Sequence, residues 1–338
     1  MKKKIIMDVD SVGDDILEIF YVSCHEDADL LGITTVTGAA GDIKQAAWVA
    51  KNTVEMMGKD IPVYAGASQP ISYHDKNVSG DPVNFYEELR WKFGDRLREF
   101  NTPAEISKGN IEKEYAIDYL IRMFHENPKE ITLITTGPLT NIALALEKDP
   151  TIGSEIKEMY ILGGSFRIHG NITPVTEYNI FADPEAAQRV LTSNINITLV
   201  PLDVCENNMF ADSMLTRDHL FDLQYQAKGQ MIDYICNKYP IYIDIWREYF
   251  QLGGFPMDDV LTAALALDAG LCCYTERVHV EVELEGRLTR GQTIAFWGCQ
   301  INKYPEREKR NIRIAVSVEG KRFMNQFIDT LIKGSRLI

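Results

Sequence analysis

Four carboxylates fall within eight residues in the segment Asp8-Val9-Asp10-Ser11-Val12-Gly13-Asp14-Asp15. Like charges crowded this closely raise one another's pKa and repel unless a cation neutralises them. The cation suited to several carboxylates and carbonyls is a hard one, Ca²⁺ or Mg²⁺. Two chemistries fit. Either Asp8 is a phosphoryl-accepting nucleophile with Asp10 as its acid/base, or the cluster holds a metal whose bound water is the nucleophile. The plain alternative is a solvated acidic turn at the start of a helix beginning at Ile16, where negative charge is favourable.

Other polar residues fit the same chemistry. Thr135-Thr136-Gly137-Pro138-Leu139-Thr140-Asn141 makes a tight turn that can present a backbone carbonyl near Thr136 to a metal. Glu177 and Asn179, as alternate residues on an extended segment, share one face and can grip neighbouring sugar hydroxyls, with Asn171 as a third partner. Turn and capping duty is their alternative role. Asp258-Asp259 precedes the apolar stretch Val260–Leu267, so one carboxylate is expected to cap that helix while facing the same crevice.

The elements that must position these groups follow from hydrophobic patterning. Short apolar runs alternate with amphipathic stretches: strands over Lys4–Met7, Leu30–Val36 and Ile131–Thr135, helices over Ile16–Cys24 and Ile43–Met57, and a helix after Gly137-Pro138 through Leu146. The alternation recurs at Glu158–Leu162, Pro184–Leu191 and Ile197–Leu202. Repeated βα units define an α/β fold with a mostly parallel central sheet in one domain over residues 1–338, and ligands collect at the carboxyl ends of such strands. Residues 72–111 and 205–256 read as excursions from the alternation, the second helical and rich in Tyr. Val278–Glu285 and Ile312–Val318 have strand-like alternation, and Arg322–Ile332 reads as a helix.

Composition excludes several classes. With 35 Lys+Arg against 49 Asp+Glu and a net charge of −14, the chain offers no surface built to neutralise phosphates, so neither nucleic acid nor an anionic membrane is an expected partner. The apolar stretch after Met1-Lys2-Lys3-Lys4 is broken at Asp8, so no export signal is read, and no run long enough for a membrane span occurs. Six scattered Cys without a C-x-x-C pair indicate neither a disulfide framework nor a zinc site, and a cytoplasmic location is expected. Cys272-Cys273 read as small hydrophobes packed in the core.

The motifs together resemble the inosine-uridine nucleoside hydrolase family. The resemblance runs from the N-terminal cluster through Gly32–Gly38, Asp60–Gly66, Thr135–Asn141 and Gly163-Gly164 with Gly170–Pro174, and is strongest in Glu177–Ala187. It continues in Leu202-Asp203-Val204, Leu288–Thr293 and Asn311–Val318. Asp8–Val12 alone looks like the first motif of haloacid-dehalogenase-type phosphohydrolases, with Thr135 or Thr136 and Asp258-Asp259 as possible later motifs, but that likeness covers only short fragments. The hydrolase resemblance implies cleavage of the N-glycosidic bond of ribonucleosides to base and ribose. It implies Ca²⁺ held by Asp10, Asp15, Asp259 and the Thr136 carbonyl, Asp10 as general base, and Asp14, Asn171, Glu177 and Asn179 on the ribose. It also implies a homodimer or homotetramer acting on a small nucleoside.

Three positions depart from the family pattern. Ser11-Val12-Gly13 replaces the usual Pro-Gly turn, Ala39 replaces Asn, and Asp258 stands where many members have the His that assists the departing base. Tyr242, Trp246, Tyr249 and His74 are the other side chains considered for that task, and His169 is placed at the rim of the site. Loss of the His and of the Asn also leaves open a ribosyl-ligand binder without turnover.

Overall fold

Uninterrupted apolar runs become the middle of a sheet. The computed structural model describes residues 2–39, 42–71, 92–94, 110–298, 303–304 and 311–336. The first half contains strand β1 (Lys3–Val9), helix α1 (Asp14–Cys24), β2 (Ala28–Thr35), α2 (Ile43–Met56) and β3 (Val63–Ala65). After it come α3 (Ala116–Glu126), β4 (Ile131–Thr135), α4 (Thr140–Lys148), β5 (Glu158–Leu162), α5 (Tyr178–Ala182), α6 (Pro184–Leu191), β6 (Ile197–Val200) and α7 (Leu202–Cys205). The chain closes with α8 (Arg217–Gln226), α9 (Gln230–Glu248), α10 (Asp258–Leu267), β7 (Cys272–Tyr274), β8 (His279–Val282), β9 (Thr293–Phe296), β10 (Ile312–Val318) and α11 (Gly320–Ser335).

The strand order is β3-β2-β1-β4-β5-β6-β10-β7, and every neighbouring pair is parallel except β10 with β7. Ile5, Met7 and Val9 join one apolar core and Ile6 joins the other, so β1 is covered on both faces, as a parallel strand requires. Its apolar side chains are fully buried. The chain builds outward from β1 to β3 and then returns to place β4 on the other side of β1. That reversal opens a crevice beyond the carboxyl ends of β1 and β4, where α/β proteins bind ligands. Asp10 follows the first of these strands and Thr136 the second.

The mostly parallel sheet agrees with the expected fold class, and most expected elements coincide with observed ones. The excursion at 72–111 lies almost wholly outside the described residues, and so does His74. The one at 205–256 is helical, built around α8 and α9. Cys272-Cys273 correct the sequence reading: they form β7, the antiparallel edge strand, where Cys273 is exposed and Cys272 partly so. Cys272 still packs against the apolar core, as expected, whereas Cys273 on the alternate face of this edge strand is open to solvent and is not core packing. Among the described residues no helix is long and apolar enough to cross a membrane.

Candidate active site

The turn after β1 is shaped by backbone strain. Ser11 has φ of 61° and Gly13 φ of 51°, and Ser11 Oγ is buried without a partner. A left-handed non-glycine residue stores strain of the kind held at functional sites. Tyr239, from α9, donates its hydroxyl to the Gly13 carbonyl at 2.7 Å, and the Tyr242 and Phe255 rings lie against Gly13. The aromatic excursion thus braces the acidic turn.

Five acids, Asp8, Asp10, Asp15, Glu18 and Asp259, are buried together around this turn, with Asp14 partly exposed beside them. Asp14 and Asp15 begin α1, and Asp258 and Asp259 begin α10. The two N-termini meet: the Asp259 backbone N–H donates to Asp14 Oδ2 at 2.9 Å. The first turns of both helices therefore direct their positive dipole ends at the cluster, offsetting part of its charge. This geometry corrects the expected cap, because neither Asp258 nor Asp259 caps α10 by a side-chain bond and a residue 245 positions away does so instead.

Each acid has a defined setting. Asp10 Oδ2 accepts the Ala39 N–H at 2.8 Å. Gly38 makes that approach possible, since a Cβ there would lie 2.1 Å from Asp10 Oδ2. Asp15 accepts the Val12 N–H at 2.9 Å and the Thr136 hydroxyl at 3.1 Å, and Glu18 lies 3.0 Å from the same hydroxyl. The Thr136 carbonyl accepts Asn179 Nδ2 at 2.8 Å, which ties the β4 turn to α5. Asp8 Oδ1 is held by Thr34 Oγ1 at 2.5 Å and Asn141 Nδ2 at 2.7 Å, so the nucleophile of the phosphohydrolase alternative is fully enclosed in the sheet.

Burial raises all these carboxyls. It pushes Asp8 up to about 7 and Asp14 to about 6, against hydrogen bonds that lower both. It also raises Asp10, and it lifts Asp15, Glu18 and Asp259 well above the carboxylate range, with their negative neighbours adding to the shift. Among the described residues no Lys, Arg or His forms an ion pair with any of them. Nor, among those residues, does any group of three Asp, Glu, His or Cys side chains stand ready as a finished metal shell. The acids' negative charges raise one another's pKa instead, Asp10, Glu18 and Asp14 acting on Asp15, and Asp14, Asp15 and Glu18 on Asp259.

The loop after β5 carries the expected sugar-binding trio. Glu177 is the N-cap of α5, and its carboxylate accepts the N–H groups of Asn179 at 2.7 Å, Ile180 at 3.1 Å and Gly164 at 3.1 Å. Glu177 and Asn179 therefore occupy a capped helix start, not the extended segment read from the sequence. The trio remains in one neighbourhood, because Asn171 Oδ1 accepts the Tyr178 N–H at 3.0 Å. Burial pushes Glu177 up to about 7, and its three N–H donors restrain the rise.

Asp258 lies between the two regions. Burial and the charges of Glu206, Asp14 and Glu177 raise it well above the carboxylate range, and its Oδ1 is buried and unpartnered. Tyr242 stacks on Trp246 with ring centroids 6.1 Å apart, and Tyr249 packs on Phe250 at 4.7 Å; both belong to one aromatic stripe along α9. His169 is exposed and lines a cavity of about 460 Å³ with Ser165, Arg167, Pro174 and Gln292, beside Asn171 in the chain.

Two residues escaped the sequence reading. Glu18 sits three positions after Asp15 on α1, flanked by Leu17 and Ile19. That spacing places it on the same helical face as the acid turn and was the available signal. Glu206, just after α7, carried no local signal, because its hydrogen-bond partner Asn171 comes from a distant segment.

The site is therefore an acid-lined turn at the switch point of a parallel α/β sheet, with amide and carboxylate groups on the loop beside it. The sequence profile described as inosine-uridine preferring nucleoside hydrolase matches residues 5–325. The chain is 31% identical over 336 residues to the inosine-uridine preferring nucleoside hydrolase of Leishmania major, covering 98% of each. It is also 29% identical to a probable uridine nucleosidase 2 of Arabidopsis thaliana, again over 98% of each chain. A purine-preferring ribonucleoside hydrolase from Gardnerella vaginalis superposes with a TM-score of 0.84 at 28% identity, covering 99% of this chain and 100% of that one. The chain belongs to the inosine-uridine preferring nucleoside hydrolase family, whose members hydrolyse the N-glycosidic bond of ribonucleosides.

Proposed function

We propose that this enzyme is metal-dependent, with Asp10, Asp15, Asp259 and the Thr136 carbonyl holding Ca²⁺. The observation that carries the reading is the meeting of two acidic helix N-termini at the β1/β4 switch point, with all-oxygen donors and no cationic side chain paired to them among the described residues. Buried carboxylates of this density, with Glu18 Oε1 and Asp8 Oδ2 lacking partners, fit a hard divalent ion. When bound, the ion supplies charge neutralisation and Lewis acidity beside the sugar.

The protein's own groups divide the remaining work. Asp10, fixed through Oδ2 by the Ala39 N–H, takes the proton of the attacking water at Oδ1. Asp14, Asn171, Glu177 and Asn179 orient the ribose hydroxyls. Surrounding carboxylates stabilise the positive charge that develops on the sugar in an oxocarbenium-like transition state. Ala39 contributes its main-chain N–H to Asp10 but can make no side-chain hydrogen bond to ribose, so sugar affinity or sugar identity differs from that of members with Asn there. The same reading places the enzyme in the cytoplasm as a homodimer or homotetramer serving purine and pyrimidine salvage, and sedimentation of the purified protein tests the assembly.

Hydrolysis of p-nitrophenyl riboside, whose leaving group needs almost no protonation, tests the ribose half of the site. Turnover that a chelator abolishes and Ca²⁺ restores is the expected result. Bound Ca²⁺ without turnover of this substrate or of any nucleoside would overturn the catalytic assignment and leave a ribosyl-ligand binder in its place.

A further inference from the structure

We propose that Glu206 is a positioning residue of this enzyme, one that fixes the side-chain amide of Asn171 for the sugar. The inference rests on Asn171 being a ribose ligand, as in the reading above. Asn171 has one amide oxygen and two N–H bonds to place. Its Oδ1 accepts the Tyr178 N–H at 3.0 Å, and its Nδ2 donates to Glu206 Oε1 at 3.0 Å. These two bonds leave a single amide rotamer and a single remaining N–H for a substrate hydroxyl.

The backbone around Glu206 is set independently of its side chain. It closes α7, with its N–H donating to the Leu202 carbonyl at 2.9 Å. One turn earlier, Asp203 accepts the N–H groups of Phe166 and Arg167 at 2.8 and 2.9 Å. The short helix thus holds the substrate loop at two points, its start through Asp203 and its end through Glu206. Asp203 acts on the loop's main chain, whereas Glu206 acts on the side chain that faces substrate.

The test compares Glu206→Ala and Glu206→Gln in steady-state hydrolysis of p-nitrophenyl riboside. Glutamine can still accept from Asn171 through its amide oxygen, so it preserves placement without the charge. Expected are a KM raised about tenfold in the alanine variant, the size of one lost hydrogen bond, with a smaller fall in kcat, and near wild-type constants in the glutamine variant. A second expectation is that Asn171→Ala with Glu206→Ala is no worse than Asn171→Ala alone, since Glu206 acts through Asn171. Should the alanine variant fail to fold, the near-isosteric Glu206→Met carries the same comparison. An unchanged KM in the alanine or methionine variant, equal damage from glutamine, or additive losses in the double variant would each overturn the proposal. Absence of chelator-sensitive turnover in the wild type would instead overturn the reading beneath it.

Discussion

Two regions of this molecule bury acids, and they do so by opposite means. In the loop from Gly163 to Glu177 the carboxylates are met by backbone N–H groups: three on Glu177 and two on Asp203. Around the β1 turn, Asp10, Asp15, Glu18 and Asp259 have few such donors and lean on one another and on Thr136. The first arrangement is complete in the protein alone, while the second is left with negative charge that only protons or a cation can balance. One region is built to hold a shape, and the other, on the function proposed above, to hold an ion.

Substitution of the acids should have opposite effects in the two regions. Asp10→Asn removes the proposed general base, so kcat should fall by about 10²–10⁴-fold. The chelator-treated variant should nevertheless melt no lower than the wild type, because one of several mutually repelling carboxylates is gone. A clearly lowered melting temperature there would erase the contrast. Glu177→Ala should do the reverse. It strips the acceptor from three buried N–H groups and should destabilise the protein by about 2 kcal/mol, with or without Ca²⁺, as read by denaturant unfolding.

The pH dependence sharpens the same comparison. The folded-state values near 7 for Asp8 and Glu177 and near 6 for Asp14 lie above the ordinary carboxylate range. Between about pH 4 and 7 the native protein therefore binds more protons than the unfolded chain. The stability these groups contribute is fully present below about pH 4 and is lost as pH rises through 7. Melting temperature of the metal-free protein should accordingly fall over that window, and saturating Ca²⁺ should restore it at pH 7 more than at pH 5. The smallest effect is expected for Ala39→Ser, which keeps the N–H that holds Asp10. Its kcat on p-nitrophenyl riboside should stay within about twofold of wild type.

What the sequence revealed follows from the range of the interactions involved. β4 and β5 were legible to the residue because a doubly covered strand is a continuous apolar run, a purely local pattern. β7 was not, since two cysteines at a sheet edge look like core residues until their neighbour β10 is known. The acid turn was visible as a cluster, but the cap on Asp259 comes from Asp14, and local reading assigns caps only to adjacent residues. Glu177 shows the same limit: its cap role and its ribose role use the same residue type, and the helix it starts is only five residues long. The family resemblance supplied the grouping of Asp10, Asp15 and Asp259. Glu206 required the tertiary structure, because its partner Asn171 lies 35 residues away.

The bond from Asp259 to Asp14 also orders events in time. It spans 245 residues, and Tyr239 reaches back 226 residues to Gly13. On a ribosome the acidic turn emerges well before the helix that completes it, because Asp259 follows Asp14 by 245 residues. Contacts of such separation form late and slowly. Acquisition of the ion should therefore coincide with the docking of α10 onto α1 rather than with formation of the first βα unit. In a refolding experiment, Ca²⁺ uptake would report the last long-range closure of the chain.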